Sequence, residues 1–424
     1  MSYHLGVDIG GSRVHAATAR VSPDGTVVVE TAPLGRMEAD LLALISVTSD
    51  GEISFGDVAA AHGASEPQIL VGGLRRRIGD DVPFVVGDHL ISAEDAYARL
   101  AASVVETVTQ REGESPARVV FTYPTVWGPY RIDLVREALA ARYAGRFDLM
   151  PEAEAAARGT GHALDRGALA IYDLGETTFD AALIRREGDG WHVVGETAGI
   201  EMFGGSDLDD LVVRHVLTVT PTPQVAALRR ECAGAKEALS TEAEVTIPVR
   251  GAEGPASVRL TRSEFEAMIE DELDRTVTVL SEAIDSAGVP LTDVDGVLLA
   301  GGSSRIPYVT QRISAALGRP VLADTDIGSL IAMGAARSGL TSPASAQATP
   351  DPTSSPDRPE TARLVLDPAE AQPTRTATWV WRIILALLIL AAAAFLVRSW
   401  NSDSPSLFGA EPSAGCSIDL PQGW

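Results

Sequence analysis

Leu5 to Val21 reads LGVDIGGSRVHAATARV, and Leu169 to Arg186 reads LAIYDLGETTFDAALIRR. Set one above the other, Asp8-Ile9-Gly10 falls on Asp173-Leu174-Gly175. Ser12 falls on Thr177, and Ala16-Ala17 on Ala181-Ala182. Each stretch is an apolar run ending in an aspartate, a short glycine turn bearing a hydroxyl, and a second apolar run. That pattern predicts strand, tight turn, strand. Two copies in one chain predict two similar halves facing each other across a cleft.

The turn dictates the chemistry. A glycine-containing hairpin points successive backbone N–H groups outward and makes a nest for phosphate oxygens. A side-chain hydroxyl adds a donor. An aspartate at the strand end organises Mg²⁺ through water, because Mg²⁺ sheds its waters reluctantly. Two such hairpins are predicted to grip a nucleoside triphosphate from both sides. Either hairpin alone is a common feature of sheets; the pair carries the reading.

Composition narrows the classes. The 424 residues allow two or three domains, and 45% hydrophobic content is enough to pack most of them. The formal charge of −24 argues against a nucleic-acid binder, which needs clustered Lys or Arg. Lys236 is the single lysine. Two cysteines, Cys232 and Cys416, are too few for a disulfide framework. The opening MSYHLGVDIGG lacks the basic and apolar regions of a signal peptide. The histidines show no ligand spacing, so no metal site made directly of protein ligands is predicted.

Further landmarks follow in order along the chain. They are VDIGGS (Val7–Ser12), FTYP (Phe121–Pro124), PEAEAAARG (Pro151–Gly159), IYDLGETTFDAALI (Ile171–Ile184), FGGSDLD (Phe203–Asp209), CAGAKEALS (Cys232–Ser240), GVLLAGGSSRIP (Gly296–Pro307) and IAMGAA (Ile331–Ala336). Over roughly residues 3–338 the sequence resembles the nucleotide-binding domain of the seventy-kilodalton heat-shock chaperones, within the actin-like ATPase superfamily. The resemblance implies an α/β fold in which a ribonuclease-H-like unit is duplicated into two lobes, each on a mixed five-stranded sheet. Lobe I would span residues 1–167 with an inserted subdomain at about 24–100, and lobe II residues 168–340 with another at about 205–290.

Roles carry over by position. Asp8 and Asp173 resemble carboxylates that organise Mg²⁺ and its waters, Asp180 an acid near the γ-phosphate, and Glu152 a glutamate that places the attacking water. Gly10, Gly11, Ser12 and Arg13 match one phosphate loop; Gly175, Glu176, Thr177 and Thr178 fall in the other. Gly204, Gly205 and Ser206 match a loop under phosphates and ribose. Lys236 and Ser240 match a helix that contacts the adenosine. Gly301, Gly302, Ser303, Ser304 and Arg305 match the loop on the other side of the base, where glycine permits close approach. Arg75 falls where the family has a phosphate-contacting lysine. The implied cofactors are ATP or ADP with Mg²⁺.

The alternatives are plainer. The four carboxylates also read as strand-end and cap residues. The run Arg75–Arg77 by itself reads as solvated surface charge rather than a phosphate ligand. Asp207, Asp209 and Asp210 read as the acidic start of a helix. There are also departures from the family pattern. Gly11 stands where the family has threonine, and Arg for Lys at 75 is not a neutral swap. Glu176 replaces a glycine and, pointing inward, would repel phosphate. Ala233 and Glu237 stand where the family has glutamate and arginine, and Gly328 replaces an acidic residue.

The remaining sequence differs in kind. Residues 341–378 are rich in Pro, Ser, Thr and Ala and read as a flexible linker. Trp379 to Trp400 reads WVWRIILALLILAAAAFLVRSW; Ile383–Val397 is free of polar residues, flanked by Arg382, Arg398 and interfacial tryptophans. This predicts one transmembrane helix over residues 379–400. Arg358, Arg363 and Arg375 precede it, while residues 401–424 hold no Lys or Arg, which places the N-terminal module in the cytoplasm and the tail outside. The two cysteines then lie on opposite sides. The family's peptide-binding domain would need some two hundred further residues, and none is expected here. Three functions follow: a membrane-anchored, weakly hydrolysing ATPase that closes on nucleotide and reports to an unknown protein partner; a non-hydrolysing scaffold recruiting partners to the membrane; and, least favoured, a sugar kinase of the same superfamily.

Overall fold

The computed structural model describes residues 2–341, apart from 36–38, 49, 87–88, 161–166, 189, 223, 252–253 and 325. The predicted linker, membrane helix and tail lie outside the described residues. Among those described, no helix is long and apolar enough to cross a membrane.

The two quoted stretches are antiparallel hairpins. β1 (His4–Ile9) pairs with β2 (Arg13–Val21), placing Asp8 opposite His15. β2 continues to β3 (Val27–Thr31). On its other edge β1 runs parallel to β4 (Arg118–Tyr123), and β4 parallel to β5 (Phe147–Pro151). The second half repeats this plan. β6 (Ala168–Leu174) pairs antiparallel with β7 (Phe179–Glu187), and β7 with β8 (Gly190–Ile200). β6 runs parallel to β9 (Val294–Ala300), and β9 to β10 (Val321–Leu322). Strand order and sense are therefore the same in both sheets.

One sheet departs from the expected five strands. The short strand Leu41–Leu42 adds to β2 beside Arg13 and Val14, giving the first sheet six. β3 covers only Ala17–Val21, so the start of β2 keeps a free edge that this strand fills. Between Leu41 and β4 lie a three-stranded sheet (Ile53–Phe55, Ile45–Val47, Leu70–Val71), the helix Gly56–Ser65 and a two-stranded ribbon, Phe84–Val86 with His89–Ile91.

Helices cover the sheets because their apolar faces need burial. α1 (Ala93–Glu112) starts at a Ser92 cap that accepts from Asp95 N–H (3.1 Å) and ends at left-handed Gly113. Its buried face, from Tyr97 to Val108, packs with Leu5, Val7 and Phe121 in one core, to which α2 (Pro129–Arg142) adds Val135 and Leu139. α4 (Gly205–Val219), α5 (Val225–Ala238), the hairpin Glu244–Gly251/Gly254–Thr261, α6 (Arg262–Ser286) and α7 (Pro307–Leu317) build the other, under Tyr172, Phe179 and Leu183.

Two helices bridge the halves. α3 (Glu152–Gly159) follows β5 but packs in one core with Leu169, Ile171 and Leu298 of the second sheet. α8 (Leu330–Thr341) lays Ala332 and Ala336 on Ala17 and Ala19 of the first. They meet almost backbone to backbone. A β-carbon at Gly334 would lie 1.7 Å from the Ala155 carbonyl oxygen, one at Gly159 2.0 Å from that of Leu330, and one at Gly6 2.1 Å from that of Ala332. Only glycine admits such approach.

Candidate functional site

Both hairpin turns close with the same hydrogen bond. Gly10 N–H donates to the Arg13 carbonyl (2.8 Å), and Gly175 N–H to the Thr178 carbonyl (3.0 Å). The turns also touch: a β-carbon at Gly11 would lie 2.2 Å from Thr177 Oγ1. Glycine at 11 is thus what lets the Thr177 hydroxyl lie against the first turn. Together the turns open onto a cavity of about 800 Å³, within the roughly 300–1,000 Å³ of small-molecule sites.

At one end of this cavity four carboxylates surround one guanidinium. Asp8 lies near the end of β1 and accepts from Thr122 Oγ1 (2.8 Å). Glu152 begins α3, Asp173 lies near the end of β6 and Asp180 near the start of β7, opposite Asp173 in register. Arg75 reaches them from a short 3-10 turn, Leu74–Arg77. Buried Leu74 anchors that turn, and left-handed Gly73 (φ 65°) directs the chain into it. Arg75 holds Glu152 in a fork, Nη1 to Oε1 at 2.8 Å and Nη2 to Oε2 at 3.2 Å. Its Nη2 also lies 3.4 Å from Thr178 Oγ1 and 3.6 Å from Asp180 Oδ2. The solvated-surface reading of Arg75 is therefore corrected: four acids draw it inward. Its neighbour Arg76 donates to the Thr177 carbonyl (2.6 Å) and holds the second turn from behind.

Charge is unbalanced here. Burial pushes Asp173 up to about 7, reinforced by Asp180 and opposed by Arg75. Burial likewise pushes Asp180 up to about 6 against the pull of Arg75. Glu152 is driven well above the usual carboxylate range by burial, with Arg75 pulling it back and Asp8, Asp173 and Asp180 adding to the rise. Burial disfavours charge on Arg75, but the same carboxylates outweigh it and hold the guanidinium protonated. Four acids against one cation leave an excess of negative charge that a divalent cation would relieve. Among the described residues no three His, Cys, Asp or Glu side chains converge closely enough to hold a metal ion directly. Cation binding at this end thus needs water and ligand oxygens, a donor set that suits Mg²⁺.

Most of the other candidate residues line the same cavity: Ser12 and Arg13 in the first turn, Glu176, Thr177 and Thr178 in the second, then Lys236, Ser240, Gly301, Gly302, Ser303 and Arg305. Gly301 (φ 77°) sits against Asp173, where a β-carbon would lie 2.4 Å from Oδ1. Beside Gly302 the space is open. Lys236 is buried, its Nζ 2.9 Å from Asp209 Oδ1 and donating to the Gly205 carbonyl (3.0 Å). Asp207 accepts from Gly204 N–H (2.9 Å) and starts α4, as an acidic first turn should, while Asp210 pairs with Arg229 at 2.6 Å.

Five candidates do not line the cavity. Gly205 N–H donates to the Gly175 carbonyl (2.9 Å) and Ser206 N–H to that of Glu176 (2.8 Å). A β-carbon at Gly204 would lie 2.5 Å from the Glu176 carbonyl carbon. Gly204, Gly205 and Ser206 therefore brace the second turn from outside. Ser304 accepts from Leu174 N–H (3.3 Å) and donates to the Ala300 carbonyl (2.6 Å), fastening its loop to β6. Asp180 stands opposite Asp173 in register, meets Arg75 at 3.6 Å and faces a smaller cavity beyond it.

Sequence reasoning missed several wall residues. His15 stands where the repeat puts Asp180 in the other half. Its Nδ1 is 4.0 Å from Asp8 Oδ2, and its Nε2 3.7 Å from Asp40 Oδ2. Asp40 also takes Arg13 at 3.0 Å. Asp326, two positions before Gly328, supplies a carboxylate to the wall and lies 3.7 Å from Arg305. The repeat offset pointed to His15; nothing local marked Asp40 or Asp326.

The family model for the Hsp70 protein matches residues 43–347. The chain belongs to the Hsp70 family. Among curated relatives, a chaperone protein HscA homolog of Pseudomonas fluorescens is 30% identical over 345 residues, covering 78% of this chain and 53% of the relative. The HscA homologs of Bordetella pertussis (27% over 361 residues) and Burkholderia mallei (28% over 366) each cover 78% of this chain and 57% of the relative. The chain thus spans about half the length of the curated relatives it matches. The Hsp70 match takes in the second hairpin, Arg75, Glu152, Lys236 and the Gly301–Arg305 loop.

Proposed function

We propose that residues 1–340 are a chaperone-type ATPase module that binds ATP and ADP with Mg²⁺ and closes around them. The observation that carries this reading is the meeting of two identically bonded glycine turns on one cavity, with Asp8 and Asp173 behind them. The turns' N–H groups, Ser12 and Thr177 would hold the phosphates, while Asp8 and Asp173 orient the waters of the cation. Bound Mg²⁺ would neutralise phosphate charge. Closure requires that nucleotide bind the closed form more tightly than the open one.

Hydrolysis is read as weak. Glu152 is the carboxylate placed to orient water, and both its oxygens are held in the fork of Arg75. A guanidinium does not surrender its proton, and its geometry favours this two-point grip. Radiolabelled phosphate release from ATP is expected to be Mg²⁺-dependent, slow, and lost in Asp8→Asn. No release above that variant would remove the enzyme claim. The same fork favours the second reading, a pseudo-ATPase scaffold that binds nucleotide and recruits partners. Calorimetric titration showing tight ATP and ADP binding without turnover would support it.

Anchoring is part of the proposal and rests on the sequence of residues 379–400. The module would face the cytoplasm and the tail the outside. In intact cells, an impermeant maleimide is expected to label Cys416; labelling that appears only after lysis would reverse the orientation.

A further inference from the structure

The landmark FTYP (Phe121–Pro124) places a threonine, Thr122, in the buried part of β4. Its neighbours Val119, Val120 and Phe121 are at most 2% exposed, and Thr122 itself is 1% exposed. A hydroxyl in so apolar a strand needs a partner, because an unmet polar group in the core is costly. Two acceptors lie within reach. The Val7 carbonyl is 3.5 Å away, at the limit of a hydrogen bond, whereas Asp8 Oδ1 is at 2.8 Å. The shorter bond, to a carboxylate, is the stronger one. From α1, the buried Tyr97 donates to the Thr122 carbonyl (3.4 Å). Asp8 is thus tied through Thr122 to Tyr97 in the first core.

The two halves are not alike in this respect. β4 runs parallel beside β1 with Phe121 opposite Val7, so the next residues along are Thr122 and Asp8. β9 runs parallel beside β6, and there Asp173 stands opposite Ala300. The repeat copies the aspartate and omits the hydroxyl, and a methyl group has nothing to donate. Both aspartates line the main cavity. A carboxylate that grips a cation through water has to be held in one orientation, and hydrogen bonds from behind supply that hold. Asp8 cannot turn from the cavity without breaking its bond to Thr122. Asp173 has no such partner in the adjacent parallel strand.

We propose that Thr122 is a positioning residue for the cation, its hydroxyl fixing Asp8 as the firmer of the two aspartate anchors for Mg²⁺ and its waters. The proposal rests on the nucleotide-binding reading given above. It assigns the landmark threonine a role that neither hairpin turn shows, and it makes the duplicated site unequal in its two halves. A threonine that merely satisfies its own hydroxyl in the core predicts no link to the cation.

The test is calorimetric titration of the full chain with ADP, once in Mg²⁺ and once in EDTA, for the unaltered protein, Thr122→Val and Thr122→Ser. The ratio of the two affinities is the gain due to the cation. Valine keeps the shape without the hydroxyl, and serine keeps the hydroxyl. Thr122→Val is expected to lower the gain roughly 10-fold, the lower end of what partners behind a metal site contribute, with affinity in EDTA unchanged. Thr122→Ser is expected to keep the gain. Thermal unfolding shows whether each variant is folded; should Thr122→Val not fold, Thr122→Ala is read in its place, and if neither folds, Thr122 is structural and the proposal falls. A full gain in Thr122→Val overturns it. So does an equal loss of affinity with and without Mg²⁺, which marks a structural role alone, and so does a gain lost equally in Thr122→Ser. A folded, unaltered protein that binds ADP with no gain from Mg²⁺ overturns the cation role and leaves nucleotide binding standing. If that protein binds no ADP in either buffer, the nucleotide reading itself falls.

Discussion

Asp173 shows how a single buried group ties the site to stability. Its carboxyl is pushed up to about 7 by burial and by Asp180, whereas an unfolded aspartate titrates near 4 (about 3.9). Between these values the folded chain holds a proton that the unfolded chain has released. Stability therefore falls as pH rises across that window. Asp173→Asn, which removes the charge and keeps the shape, is expected to flatten this slope and to stabilise the protein at pH 8 by about 1–3 kcal/mol. Urea unfolding at pH 5 and pH 8 checks it; identical slopes in both proteins would refute the assignment. Asp173 and Asp8 were legible from sequence because the repeat displays them twice. The run Arg75–Arg77 by itself read as surface charge, because a run of three arginines carries no sign of the four acids 67 to 105 positions away; only the family pattern put Arg75 at the cavity it lines. Lys236 lines the cavity, but its pairing with Asp209 depends on how α5 packs on α4.

At the scale of elements, the turns do more than carry side chains. Their spacing, hydroxyls and glycines could be read directly, since a tight turn is a local matter. What braces them could not. Gly204 to Ser206 supports the second turn through backbone donors, a role no side chain announces. The loop after β9 combines close approach with a left-handed backbone. Gly301 has φ 77° and lies against Asp173 and the Leu174 carbonyl, where a β-carbon would sit 2.4 Å from each oxygen. Gly301→Ala meets both a left-handed backbone and a collision. It is expected to cost about 2 kcal/mol or more in denaturant unfolding and to displace Asp173. Gly302→Ala, with open space around it, should cost far less. Equal losses in the two variants would show that the close approach at 301 does not matter. The sixth strand, Leu41–Leu42, was invisible because two residues carry no periodicity.

At the scale of the molecule, the duplicated plan was legible, and its two copies of a five-strand order recur in both sheets. How the halves join was not. The landmark IAMGAA marked α8 as small-residued, but only the fold shows Gly334 against Ala155, and Gly159 against Leu330. Gly334→Val is expected to destabilise the protein by more than about 3 kcal/mol, because the obstructing atoms belong to the backbone and cannot yield as side chains do. Thermal unfolding reads this directly, and a loss below about 1 kcal/mol would sink the argument. The same crossing has a mechanical consequence. Helices that mesh by ridges and grooves resist turning, since every ridge must climb out of its groove. Where α3, α8 and β1 meet through bare peptide groups, there is little to climb. At those points the joint would turn as a bearing rather than mesh as a gear, and both of its helices reach the wall of the cavity, through Glu152 and Ile331, whose opening and shutting such a joint would serve.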